Sequence, residues 1–161
     1  MKLFIADELT TTGYREATLD EIMTGAKQAL SLRVRKGALL TSPRLTADYL
    51  ITRMATLPHE VFAIIYIDKR HRFIAAQDLF RGTLDGANVH PREDVIEALK
   101  HQAAAVILAH NHPSGVAEPS QADELITKRL RDALSLVDIR VLDHIIVANN
   151  STVSFAERGI L

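Results

Sequence analysis

Apolar positions recur at two different spacings along this chain, and the switch between them predicts its elements. Leu19, Ile22, Met23, Ala26, Ala29, Leu30 and Val34 fall at helical spacing. Thr18 stands at the cap position and Glu21 at the capping-box position, so a helix is predicted from Leu19 to about Arg35, with Gly37 as its stop. Ser42-Pro43 opens a second helix, roughly Arg44 to Thr56, with Ala47, Tyr49, Leu50 and Met54 facing inward and Leu57-Pro58 ending it. The spacing then changes. Val61 to Ile67 is β-rich and mostly apolar, Asp68-Lys69-Arg70-His71 is a turn, and Arg72 to Leu79 is the returning strand of a hairpin. Gly82 and Gly86 mark a loop, and Asn88-Val89-His90 is a candidate short strand. Pro91 at a first-turn position starts a helix to about Gln102. Ala103 to Ala109 is continuously apolar and predicts a buried strand. A helix from Ser120 to about Leu136, a strand from Arg140 to Val147, a turn at Asn149-Asn150 and a short strand near Thr152 to Phe155 complete the chain. Residues 1–17 are polar after a short apolar start, with Thr10-Thr11-Thr12-Gly13 as a loop signal.

The end of the Ala103–Ala109 strand carries the chemistry. His110-Asn111-His112-Pro113-Ser114-Gly115 holds two imidazoles at positions i and i+2, which share one face if the strand persists. Ser120 and Asp123 follow, the latter about one turn into the helix that Pro119 and Ser120 open. Two neutral nitrogens and one carboxylate at one point suit Zn²⁺, and a fourth position left for water is the catalytic pattern. Each part also has a plain reading. Ser120-x-x-Asp123 is a helix cap with an acidic first turn, and Pro113-Ser114-Gly115 is a turn. The agreement of spacing, strand end, turn and helix start favours a metal site at His110, His112 and Asp123. The letters H-N-H do not make this the nuclease of that name, whose residues are scattered over a longer motif. A zinc nucleobase deaminase needs a cysteine pair, and the chain has no cysteine.

Zn²⁺ held there would lower the pKa of its water from 15.7 toward about 7, creating a nucleophile at neutral pH. A hydrolase then needs a base to take the water proton and pass it to the leaving group. Glu60, at the start of a buried strand and after a proline, is the candidate; a strand-edge charge facing water is the equal alternative. Ser120 has two readings, as a helix cap or as a donor to an oxyanion. His144, in Leu142-Asp143-His144-Ile145-Ile146, reads first as a satisfied core imidazole, with an outer role at the metal as the sharper alternative.

Composition narrows the classes. With 161 residues, 47% of them hydrophobic and 24% charged, the chain is one soluble domain with a short appendage. A net charge of −1 is no electrostatic match for nucleic acid, and basic residues gather only at Lys27–Lys36 and Lys69–Arg72, each a solvated face in its simplest reading. Five Phe, three Tyr and no Trp argue against a stacking platform. The absence of cysteine excludes disulfides and is compatible with a reducing cytoplasm. No signal peptide and no membrane-spanning run is found, so a cytoplasmic protein without membrane contact is expected.

These residues resemble the RadC-like branch of the JAB/MPN superfamily, whose metal-binding members carry the JAMM signature. That signature is a distant glutamate, H-x-H, seven residues, serine, two residues and aspartate, matched here by Glu60, His110-Asn111-His112, Ser120 and Asp123. Phe80-Arg81-Gly82-Thr83, His90-Pro91-Arg92-Glu93 and Asp143-His144-Ile145-Ile146 add the RadC-like character. The resemblance covers roughly residues 40–161 and leaves 1–39 as a short N-terminal helical extension. It implies an α/β fold of the cytidine-deaminase kind, a mixed sheet with helices on both sides. It further implies a zinc-dependent metallopeptidase or isopeptidase acting on a protein or peptide, with His110, His112 and Asp123 as metal ligands, Glu60 as general acid/base and Ser120 supporting the oxyanion. Two departures matter. Longer RadC-like proteins carry a helix-hairpin-helix-like region before the domain, and about 40 residues precede it here, which weakens any nucleic-acid role. Many relatives have D-P-T-P before the motif serine, where this chain has Val116-Ala117-Glu118-Pro119. The competing class is a non-catalytic interaction module linked to DNA repair; the complete ligand set with Glu60 favours the hydrolase.

Overall fold

A computed structural model describes residues 2–40, 42–81 and 90–161. Its elements in chain order are β1 (Phe4–Ala6), β2 (Tyr14–Glu16), α1 (Leu19–Arg33), α2 (Pro43–Met54), β3 (Val61–Ile67), β4 (Phe73–Arg81), α3 (Pro91–Lys100), β5 (Ala105–Asn111), α4 (Gln121–Ser135), β6 (Arg140–Ala148), β7 (Ser151–Ser154) and α5 (Phe155–Arg158). The five strands β3 to β7 form one sheet in the order β4-β3-β5-β6-β7. All neighbours are antiparallel except β5 and β6, which are parallel because α4 carries the chain back across the sheet between them. This is the expected mixed α/β fold, with helices on both faces of the sheet.

Alternation along the central strands divides the core in two. Val61, Ala63, Ile65 and Ile67 of β3, with Ala105, Ile107 and Ala109 of β5, pack under Tyr49, Leu50 and Met54 of α2. Phe62, Ile64 and Tyr66, with Val106 and Leu108, pack against Ile126, Leu130 and Leu134 of α4 and Ala98 of α3. Burial of both faces explains why β3 and β5 read as unbroken apolar runs instead of alternating. It also sets the face of every later residue: His110 continues the even-numbered row beneath α4.

Several boundaries moved. β5 begins two residues later than its apolar run and continues through His110 to Asn111, because β6 pairs with it to that point. The N-terminal region holds a hairpin that no periodicity announced, with Phe4 opposite Glu16 and Ile5 opposite Arg15. Its three-residue strands are too short to display a period, and Phe4 and Tyr14 remain exposed. Phe155 leaves the predicted last strand to begin α5, because Ser154 caps that helix and its hydroxyl donates to Asp143 Oδ2 at 2.6 Å. Gly82, Gly86 and residues 88–89 of the candidate short strand lie outside the described residues.

One buried carboxyl stands apart from the rest. Asp94, in the first turns of α3, is 3% exposed, and its Oδ2 has no hydrogen-bond partner among the described residues. Burial, with the charge of Glu93 adding to it, raises its pKa from 3.8 to about 6. The folded protein therefore keeps a proton that the unfolded chain has already released, and stability falls as pH rises between those two values. Asp94→Asn should leave stability at pH 4 nearly unchanged and raise it by about 1–3 kcal/mol at pH 8. Urea unfolding at the two pH values checks this, and an equal change at both would remove the titration from the explanation.

Candidate metal centre

The site forms where β5 runs out beneath the first turn of α4. His110 is the last even-numbered residue inside the strand and is fully buried. His112 lies one residue past the strand, yet its backbone N–H still donates to the Val147 carbonyl at 2.8 Å, so the pleat carries on far enough to aim both rings the same way. Their Nε2 atoms are 2.9 Å apart. The capping box of Ser120 fixes the opening turn of α4 and presents Asp123, 1% exposed, to the pair. Asp123 Oδ1 is 3.1 Å from His110 Nε2, and Oδ2 is 3.6 Å from His112 Nε2. A tetrahedral zinc with bonds of about 2.0–2.1 Å has ligand–ligand edges of about 3.3 Å. The donor set fits that size.

The hydrogen bonds around the rings decide which nitrogens carry protons. Thr127 has one hydroxyl proton and donates it to the Asp123 carbonyl, so it can only accept from His144 Nδ1. His144 is wholly buried; burial above all, with the nearby charges of His110 and His112, pushes its pKa well down and keeps it neutral. With its proton on Nδ1, His144 Nε2 is a bare acceptor and takes the Nδ1–H of His110 at 2.8 Å. His112 Nδ1 lies 2.7 Å from the Val116 carbonyl, which can only accept. Both candidate ligand histidines thus hold their proton on the outer nitrogen and turn an unprotonated Nε2 inward. Asp123 Oδ1 is buried beside them without a hydrogen-bond partner among the described residues. Two lone pairs and a carboxylate oxygen facing one point, with no donor among them, call for a cation there. In the absence of one, a proton is the substitute: the hydrogen bond to Asp123 raises the pKa of His112, against the effect of burial, with the Val116 carbonyl and the charges of Asp123 and Glu60 assisting. Burial alone would raise the pKa of Asp123, but the imidazoles of His110 and His112 beside it outweigh that and hold the carboxyl well below the usual range.

Ser120 sits beside the candidate ligands and fastens Asp123. Its backbone N–H and its hydroxyl both donate to Asp123 Oδ2, at 2.7 and 2.8 Å, and its oxygen accepts from the Asp123 N–H at 3.2 Å. Its hydroxyl proton is therefore engaged, and Asp123 is turned so that Oδ1 faces His110 Nε2. Glu60 is half-buried and immediately precedes β3. Phe62 pairs with His110, so the same register extended by two residues brings Glu60 opposite His112 on the α4 side of the sheet. Its influence on His112 agrees with that placement.

The loop between the strand and α4 aims His112. Gly115 has φ +82°, and a Cβ there would come within 2.7 Å of Asn149 Nδ2. The positive φ favours glycine here, the Asn149 amide fills the space a Cβ would take, and the turn delivers the Val116 carbonyl to His112 Nδ1. Arg158 of α5 holds Glu118 at 2.7 Å from the other side. His144 is a buried imidazole with both ring nitrogens hydrogen-bonded, as its first sequence reading has it, and one of its partners is the candidate ligand His110. Thr127 and Asn111 were not singled out from the sequence. Thr127 is four residues after Asp123, on the same helix face, which was the available signal.

A mixed sheet whose central strand ends in a paired-histidine motif, closed by an aspartate from the next helix, defines a domain of the JAB class with a group able to hold a metal ion. The chain belongs to the RadC-like JAB domain family, which residues 40–160 match. It is similar to UPF0758 proteins. It is 62% identical over 128 residues to one from Nitrosococcus oceani, covering 80% of this chain and 57% of that protein. It is 59% identical over 145 residues to one from Thioalkalivibrio sulfidiphilus, covering 90% and 65%. It is 53% identical over 147 residues to one from Methylibium petroleiphilum, covering 91% and 66%. The chain thus spans between 57% and 66% of the length of these curated relatives. Among the described residues no helix is long and apolar enough to cross a membrane.

Proposed function

We propose that the protein is a zinc-dependent hydrolase that cleaves an amide or isopeptide bond in a protein or peptide. The observation that carries this reading is the convergence of two unprotonated imidazole nitrogens on the buried carboxylate of Asp123, whose Oδ1 has no hydrogen-bond partner among the described residues. In this reading His110, His112 and Asp123 hold the ion. When bound, it supplies Lewis acidity toward water and toward an amide carbonyl. Access is from the side of His112, the least buried of the three, where Glu60 stands. The Glu60 carboxylate takes a proton from the attacking water and returns it to the departing nitrogen, which leaves as a neutral amine. Ser120 keeps Asp123 turned toward the histidines; it can donate to an oxyanion only by letting go of Asp123 Oδ2, so fastening is its first role. His144 and Thr127 hold His110 in the tautomer that a metal requires. A chain without cysteine is suited to work in the cytoplasm.

The test joins metal analysis to a cleavage assay. The purified protein should carry about one zinc per chain after dialysis against zinc, the expected stoichiometry of a three-ligand site. A broad peptide and isopeptide library should be cleaved by the loaded protein, the cleavage stopped by chelator and restored by zinc. A loaded protein that cleaves nothing in the library, and whose melting temperature collapses on chelation, would instead mark the ion as structural.

A further inference from the structure

Asn111, the middle residue of the paired-histidine motif, is 2% exposed and holds a second chain segment rather than the ligands on either side of it. Its Oδ1 accepts from the Val61 N–H at 2.8 Å, and its Nδ2 donates to the His59 carbonyl at 3.0 Å. Those two backbone groups flank Glu60. The partners also fix the amide: only an oxygen can face the Val61 N–H, and only an NH₂ can face the His59 carbonyl. The β3–β5 pairing ends at Phe62 and His110, so the residues before β3 lie past its last rung. One side chain grips both ends of the peptide segment that carries Glu60, and it is planted between the two candidate ligands. Any shift of Asn111 would move Glu60 relative to His110 and His112.

We propose that Asn111 is a positioning residue that sets the Glu60 carboxylate against the metal site through its two bonds to His59 and Val61. The proposal rests on the reading of Glu60 as the proton carrier. An alanine, serine or aspartate at 111 cannot make both bonds, because an acceptor and a donor about one amide apart are needed. The grip costs the ligands nothing, since Asn111 points away from their shared row on the strand.

Zinc alone, added to the full chain labelled with ¹³C at glutamate carboxyls, tests this. The Glu60 resonance is identified by its loss in Glu60→Gln. In the wild type it should shift on zinc loading. Asn111→Ala should bind zinc to the same stoichiometry and keep cooperative unfolding, yet lose most of that Glu60 shift. Its Val61 amide should exchange about 10-fold faster, the worth of one lost hydrogen bond. A folded, zinc-loaded Asn111→Ala with the wild-type Glu60 shift would make Asn111 a structural residue and overturn the proposal. A variant that loses zinc would overturn it too, since Asn111 would then act on the ligands. If Asn111→Ala does not fold, Asn111→Ser leaves a single hydroxyl on a shorter side chain that cannot span both the Val61 N–H and the His59 carbonyl, and an undiminished shift in it is equally contrary. The wild-type arm separates the two levels: no response of Glu60 to zinc there removes Glu60 from the mechanism, and this role for Asn111 with it.

Discussion

Glu60→Gln should lower the rate of bond cleavage by about 10²–10⁴-fold while leaving zinc content and melting temperature unchanged. Glutamine keeps the size and the planar end of the side chain and loses only the ability to accept and return a proton. Packing is therefore a poor explanation for any loss. The division of labour behind the expectation is spatial. His110, His112 and Asp123 converge from β5 and α4, whereas Glu60 reaches the same face from the start of β3. The effect of Glu60 on His112 is one of charge, and it is the last of the causes that raise that pKa. Rates should be compared at matched zinc occupancy on whichever library substrate the wild type cleaves. Equal rates would exclude Glu60 as the base, and a loss of zinc would make it a ligand.

Zinc affinity should fall in two steps of different size when the site is taken apart from inside and from outside. His112→Ala removes one of three ligands, and the affinity should drop by more than about 100-fold, beyond the usual cost of an outer partner. The substitution should be mild for the fold, since the His112 side chain is 13% exposed and its backbone bond to Val147 remains. His144→Phe should cost about 10–100-fold. Phenylalanine preserves a ring between Phe62 and Phe155, whose centroids lie 5.4 and 4.7 Å from that of His144. It removes the acceptor for His110 Nδ1–H, so His110 is no longer confined to the tautomer with a free Nε2. Competition with a chromogenic chelator measures both. Unchanged affinity in His144→Phe would reduce His144 to core packing, and unchanged affinity in His112→Ala would remove the metal centre as drawn.

The group able to hold a metal was legible because the motif is local. Two residues apart on a strand, then one turn into the next helix, is a geometry that short-range rules prescribe, and His110, His112, Ser120 and Asp123 fall within it. The apolar runs of β3 and β5 and the helical stripes were legible for the same reason. Short elements were not: β1 and β2 have three residues each, and α5 has four, too few to show a period. β5 continued past its apolar run because its neighbour β6 paired with it, and no residue within β5 says how far that neighbour extends.

What the sequence by itself determined, then, is the chemistry on offer: which residues can bind a metal, which strand and helix bear them, and a glutamate able to carry a proton. The tertiary structure decided the states of those groups. His144 lies 34 residues from His110 and Asn111 lies 52 from His59, and those separations close only when β3, β5 and β6 pair in one register. The proton on His110 Nδ1 follows from His144, that on His144 from Thr127, and the aim of His112 from a carbonyl that Gly115 and Asn149 set in place. A tautomer depends on what each nitrogen faces, and facing is a property of the assembled sheet and helix rather than of residue spacing along the chain.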